Sequence, residues 1–92
     1  LFLMTVNELY DKALEIEAKY TSESNLSLFI NRSKYAKGQI RYQIKHEAPG
    51  INIDTGYGIT NIRELLTVFE MSMAARYRFA NEKNNNEDLE LK

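Results

Sequence analysis

Residues 39–45 read Gln39-Ile40-Arg41-Tyr42-Gln43-Ile44-Lys45, and apolar and polar side chains alternate along the whole run. Successive side chains of a β-strand point to opposite faces of the sheet, so this alternation is typical of a half-buried strand. The apolar positions are β-branched or aromatic, which also favours a strand. The run therefore predicts a strand with Ile40, Tyr42 and Ile44 on one face and its polar residues on the other.

Two further strands are predicted around this run. Leu26, Leu28 and Ile30 alternate in the same way, and a turn ending at Gly38 would join them to the central strand. A short third strand is predicted after the Pro49-Gly50 turn.

The middle of the chain also fits a second interpretation. Leu26, Phe29, Ile30, Ile40 and Ile44 lie at helical spacing, so residues 24–47 could form a helix that ends before the proline. That alternative is an all-α three-helix bundle. Gly38 would lie inside this helix and would lower its stability by about 1 kcal/mol relative to alanine. We therefore prefer the strands.

A helix is predicted on each side of the strands. Thr5 and Glu8 form a capping-box pattern before an apolar stripe, and a second helix is expected over residues 61–80, with Asn61 or Thr60 as its cap. The apolar arc of the second helix is unusually wide, because four residues extend its main stripe sideways: Val68, Met71, Ala75 and Phe79. These four residues are the predicted oligomer or partner face, because an apolar surface this wide is expected to pack against the sheet, the first helix or another chain.

The length of the chain, 92 residues, corresponds to one domain. The prediction is a single α+β domain over residues 4–80, in the order helix, strand, strand, short strand, helix, with an antiparallel sheet packed by two helices. Residues 81–92 are polar and acidic and are expected to be mobile, and residues 1–3 are interpreted as an upstream remnant.

Charge, cysteine content and hydropathy limit the kinds of partner and compartment that are expected. The formal net charge is -1, so the whole molecule has no strong field for nucleic acid or acidic lipid. The chain has no cysteine, which fits a reducing compartment, and a cytoplasmic location is expected. No membrane-spanning segment is predicted from the hydropathy pattern.

Candidates for catalysis or metal binding are few. His46 is the only histidine, and its neighbours do not provide the spaced ligands that zinc or iron needs. No serine lies in a nucleophile-elbow pattern, and Gly56 and Gly58 lack the third glycine of a dinucleotide fingerprint. The chain is therefore predicted to have no catalytic residues, no cofactor and no metal, and not to be an enzyme.

One segment stands out by its charge. Residues 24–47 carry five cations against the single carboxylate Glu47, a local net charge of +4, and two tyrosines lie among them. The predicted partner-binding residues are Arg32, Lys34, Tyr35, Lys37, Arg41 and Lys45. The alternatives left open are a surface for an acidic protein, a nucleic-acid surface and an ordinary solvated sheet face.

The predicted element order over residues 5–80 is similar to that of double-stranded-RNA-binding domains. In that family a lysine cluster at the start of the last helix grips phosphates, whereas the corresponding Thr60-Asn61-Ile62-Arg63-Glu64 has one cation and one acid. The first helix, which would face the minor groove, is acidic here. The resemblance therefore implies an architecture and assigns no family.

These observations together predict a small non-enzymatic protein-binding module that acts by occupying a partner's surface. Nine Asn, eight Ile and seven Lys suggest an AT-rich genome and hence a phage or mobile-element accessory or inhibitory protein, of which anti-defence proteins are one example. A nucleic-acid-binding domain using residues 32–45 is the alternative, and a structural homo-oligomer is the second alternative.

Overall fold

A computed structural model describes residues 4–34 and 37–90, with side chains described as far as residue 78. The elements follow in the order helix α1 (Val6–Ala18), strands β1 (Leu26–Arg32), β2 (Ile40–Ala48) and β3 (Ile51–Asp54), and helix α2 (Ile62–Glu90). The fold is a small α+β domain, as the alternating run predicts, and the all-α alternative is wrong.

Both helices begin at the residues that the sequence indicates. The hydroxyl of Thr5 accepts a hydrogen bond from the Glu8 amide at 3.1 Å, and the Glu8 carboxylate accepts one from the Thr5 amide, which completes a capping box. Asn61 Oδ1 accepts a hydrogen bond from the Glu64 amide at 3.0 Å at the start of α2.

Helix α2 does not end near residue 80 as predicted but continues to Glu90. Residues 81–90 contain neither proline nor glycine, the residues that end a helix most strongly, so the helix can continue although four Asn residues favour it only weakly. The expected mobility of residues 81–92 is not tested by this extension and stays a prediction.

The three strands form one antiparallel sheet in the order β1-β2-β3. Leu28 pairs with Ile44 and His46 pairs with Ile53, so these four side chains share one face. A left-handed residue pair, Lys37 (φ 52°) and Gly38 (φ 75°), lies in the connection from β1 to β2.

Both helices pack on that same face and enclose the core. Its buried members are Leu9, Ala13, Ile44, Ile53, Leu65, Phe69 and Met73. A hydrogen bond of 2.6 Å from Lys19 Nζ to Glu70 Oε2 joins the exposed sides of the two helices, and it raises the pKa of Lys19. The opposite face of the sheet has no helix over it in the described part of the chain, and this asymmetry positions the candidate site.

Candidate functional site on the open face of the sheet

The side of the sheet away from the helices, called the open face below, carries the polar half of the alternating pattern. Its residues are Ser27, Phe29 and Asn31 of β1, Arg41, Gln43, Lys45 and Glu47 of β2, and Asn52 and Asp54 of β3. The prediction that Arg41, Gln43 and Lys45 share one face is confirmed by the strand register.

A groove of about 490 Å³ opens at the end of the sheet where β1 meets β2. This basic groove is lined by Asn31, Arg32, Ser33, Lys34, Arg41, Gln43 and Tyr57. Three of the predicted partner-binding cations therefore lie around one concave surface.

Arg41 is the cation with the most distinctive surroundings. Its side chain is half-buried, and its Nε is buried without a hydrogen-bond partner among the described residues. A buried donor that lacks an acceptor lowers the stability of the fold by about 1 to 3 kcal/mol. A ligand with an acceptor group could recover this free energy if the guanidinium turned toward it. Arg41 therefore has donor capacity that the fold itself does not use.

The other predicted cations have different surroundings. Arg32 donates from Nη1 to the Gly38 carbonyl at 3.2 Å, so part of its donor capacity closes the turn after β1. Lys34 and Lys37 are exposed, and Lys45 Nζ lies 5.7 Å from the centre of the Phe29 ring, within cation–π range. Tyr35 lies outside the described residues.

Tyr57 is a site residue that the sequence analysis missed. It is 72% exposed and lines the basic groove. The segment before it is fixed by Asp54, whose Oδ1 accepts the Gly56 amide at 2.8 Å, while Gly56 itself has φ 84°. An Asp-Thr-Gly turn that ends in an exposed aromatic residue was the available signal.

Asp54 is a carboxylate of the open face that already has partners. The hydrogen bond from Gln43 Nε2 to Asp54 Oδ1, 2.8 Å long, is the main reason that the pKa of Asp54 is lowered, and the Gly56 amide adds to the effect. The charge of Asp54 is therefore partly satisfied within the fold and competes less for the neighbouring cations.

A second polar cluster lies inside the core. His46 Nδ1 lies 2.6 Å from Glu17 Oε2, and His46 Nε2 lies 2.6 Å from the Tyr77 hydroxyl. Glu17 Oε2 also accepts the Asn25 amide at 2.9 Å. These contacts resemble a proton relay in their order, but Glu17 and His46 are fully buried and line neither the basic groove nor the smaller groove at Asn52 and Arg76. The cluster therefore links α1, β2 and α2, and no substrate reaches it by those grooves.

The predicted face on α2 is partly covered. Val68 is half-buried, Met71 is 66% exposed and Ala75 is exposed, while the side chain of Phe79 lies outside those described. The main stripe of α2 is covered by the sheet and α1, which leaves a narrow apolar strip. Its role as an oligomer or partner face stays a prediction.

Neither a cluster of metal ligands nor a membrane-spanning helix occurs among the described residues. Among the described side chains, those of residues 4–34 and 37–78, no three of His, Cys, Asp or Glu come together as metal ligands would. Within the same ranges, no helix combines the length and the apolar character that crossing a bilayer requires.

Comparison of the chain with protein-family models, with curated proteins and with solved structures finds no match. The geometry of the open face is therefore the basis for a proposed function.

Proposed function

We propose that this protein is a small non-enzymatic protein-binding module that holds an acidic segment of a partner protein on the open face of its sheet. The observation that carries the proposal is the combination, on one uncovered surface, of the cations around the basic groove with two exposed aromatic rings, Phe29 and Tyr57. Aromatic and arginine side chains are the residue types in which binding energy concentrates at protein interfaces.

The acidic chemistry proposed for the partner rests on charge complementarity. Arg41 and Lys34 line the groove and Lys45 lies farther along β2, so carboxylates of an acidic segment would meet a cation at several points. Planar guanidinium groups bind carboxylates through two parallel hydrogen bonds, which gives Arg41 a natural ligand. The two rings offer apolar contact beside these charges.

The exposed rings also favour a second candidate, a single-stranded nucleic acid. Bases stack on aromatic side chains, and cations beside such rings follow the phosphate backbone. We prefer the protein partner because the cations on this face are few and Glu47 and Asp54 lie beside them. A nucleic-acid backbone carries one phosphate per nucleotide and would meet these carboxylates, whereas a protein segment can place neutral residues opposite them.

The biological setting that we propose is a cytoplasmic accessory or inhibitory protein of a phage or mobile element, which acts by occupying the surface of its target. Support comes from the Asn-, Ile- and Lys-rich composition and from the absence of cysteine.

Fluorescence anisotropy can test the proposal with defined probes. The probes are a fluorescein-labelled Glu-rich peptide, a Gln-rich peptide of the same length, and single-stranded oligo(dT), each titrated over a range of salt concentrations. The expected result is that the Glu-rich peptide binds at low salt and that the Gln-rich peptide binds at least about tenfold more weakly. Amide chemical-shift changes should then cluster on the open face.

A charge-reversal pair gives the matched comparison. Arg41→Glu combined with Lys45→Glu should weaken binding of the Glu-rich peptide about tenfold or more, whereas Lys12→Glu combined with Arg78→Glu, on the exposed sides of the helices, changes net charge equally and should have little effect. Tighter binding of oligo(dT) with a steep salt dependence, lost in the same open-face variant, would establish the nucleic-acid candidate instead. Failure of all three probes to bind would overturn both.

A further inference from the structure

The outer edge of β1 carries backbone groups that are not used within the described residues. The backbone amide of Ser33 donates to the Gln39 carbonyl, and the backbone amide of Glu47 donates to the Asn25 carbonyl. Both pairs continue the register of β1 with β2, and hydrogen-bonded pairs alternate along an antiparallel ladder. The odd-numbered residues of β1 are therefore the ones that bond to β2. The even-numbered residues, among them Leu28 and Ile30, therefore point their N–H and C=O groups away from β2. No other described segment bonds to them.

This edge lacks the features that usually protect an edge strand. Such strands are normally short, bulged, or marked by proline or lysine. β1 is seven residues long and has neither residue type, and its single charged residue, Arg32, lies at its end and bonds to the turn. Two consecutive apolar side chains in its middle are exposed, Phe29 at 42% and Ile30 at 38%.

We infer that β1 pairs with β1 of a second copy of this chain, antiparallel about a two-fold axis at Phe29, to form one continuous six-stranded sheet. This register is the antiparallel one that pairs all seven residues of the strand with a second copy. It sets Phe29 against Phe29, Leu28 against Ile30 and Ser27 against Asn31. The inference is argued from the edge of β1 and not from the proposed function, although Phe29 belongs to both surfaces.

The sequence of β1 is largely complementary to itself in this register. Apolar side chains oppose apolar ones on both faces near the axis, polar ones oppose polar ones next to them, and no like charges lie directly opposite. Only the end pair, Leu26 against Arg32, sets an apolar side chain opposite a charged one. An antiparallel edge contact of this kind is isologous, so it closes as a dimer and does not continue into a fibre. The two-fold axis stands perpendicular to the sheet, so the open faces and basic grooves of both copies lie on the same side.

Sedimentation equilibrium over a range from about 10 µM to about 1 mM tests the dimer. The wild type should show a reversible monomer–dimer equilibrium. Phe29→Lys and Phe29→Glu, which place like charges at the axis, should each weaken it at least about tenfold. A mixture of these two variants should dimerise again, because opposite charges then meet, and this rescue also shows that both variants fold. A monomeric wild type at about 1 mM, or a dimer unaffected by Phe29→Lys, would overturn the inference.

Cross-linking tests the register directly in a chain that has no cysteine of its own. In a non-hydrogen-bonded antiparallel pair the Cα atoms lie about 4.5 Å apart, within the range for a disulfide. Phe29→Cys should therefore form disulfide-linked dimers under mild oxidation at least about tenfold faster than Met71→Cys, although Met71 is the more exposed residue. Equal rates would mean that cross-links form by random collision, and faster cross-linking of Met71→Cys would place the contact on α2. Either result would contradict the inference.

Discussion

Within the core, the imidazole of His46 on β2 makes a 2.6 Å contact through Nδ1 with the Glu17 carboxylate on α1. The other ring nitrogen of His46 contacts the Tyr77 hydroxyl on α2, so one side chain joins all three layers of the fold. A buried charged or polar group is tolerated when its partners satisfy it. Glu17 meets this condition through His46 and the amide of Asn25.

Removal of the Glu17 carboxylate should therefore be costly. Glu17→Ala leaves the imidazole and the Asn25 amide without an acceptor, and we expect it to lower the free energy of unfolding by about 3 to 5 kcal/mol, measured by urea denaturation. Glu15→Ala, on the exposed side of the same helix, should cost less than about 1 kcal/mol. The double variant Glu17→Leu/His46→Leu should be more stable than Glu17→Ala, because it no longer buries an unpaired imidazole, although the Asn25 amide and the Tyr77 hydroxyl lose their partners. A Glu17→Ala cost below about 1 kcal/mol would show that the pair contributes little.

The hydroxyl of Tyr77 should contribute separately. Tyr77→Phe keeps the ring that stacks on Tyr20, with centroids 6.4 Å apart, but leaves His46 Nε2 without its partner. We expect a loss of about 1 to 3 kcal/mol in urea unfolding. Tyr10→Phe, on the exposed side of α1, is the matched control and should change stability by less than about 0.5 kcal/mol. Similar effects of the two substitutions would argue against a role for the Tyr77 hydroxyl.

The buried ring of Phe69 on α2 should be important for stability. Phe69 is fully buried, and Phe69→Ala should cost about 3 to 5 kcal/mol because it removes a large ring and leaves a cavity. Met71→Ala, two residues away on the exposed strip, should cost less than about 1 kcal/mol. Thermal and urea unfolding of both variants provides the measurement, and a Phe69→Ala loss below about 1 kcal/mol would mean that the ring is not central to the core.

Acid should destabilise the protein in part through Asp54. Hydrogen bonds from Gln43 and Gly56 lower the pKa of this carboxyl from 3.8, so the folded state binds its proton less tightly than the unfolded state does. The contribution is present above the unfolded pKa and is lost as the pH falls through the lower folded pKa. Urea unfolding of the wild type at several pH values below about 5 should show this loss, and Asp54→Asn should reduce it. Gln43→Ala, which removes the largest cause, should reduce it as well. Carboxyl NMR titration of Asp54 gives a direct check, and an unshifted titration would refute the assignment.

The sequence predicted the local features of the fold well because each depends on neighbours in the chain. The alternation of residues 39–45, the capping box at Thr5 and Glu8, and the Asn61 cap are all patterns within a few residues. The strand register then confirmed which cations share a face. The sequence did not predict the end of α2, because the polar, Asn-rich composition of residues 81–90 indicates a tail, whereas the segment contains no proline or glycine to end the helix.

The buried cluster was missed for a different reason. Its contacts join residues 29 and 31 positions apart in the chain, and no periodicity links such positions. Signals were present in each element: His46 continues the core-facing positions of Tyr42 and Ile44, and Glu17 follows Ala13 on the apolar stripe of α1. A polar residue on a core-facing stripe requires a partner, but only the packing of the elements shows which one.

By itself the sequence determined the order of the elements, the two faces of the sheet and the start of each helix, because these follow from periodicity and capping along the chain. Only the tertiary structure decided that both helices cover the same face, that Tyr57 joins the cations at one groove, and that His46 meets Glu17 and Tyr77. Those relationships depend on how the elements twist and pack in space, which local patterns in a chain do not encode.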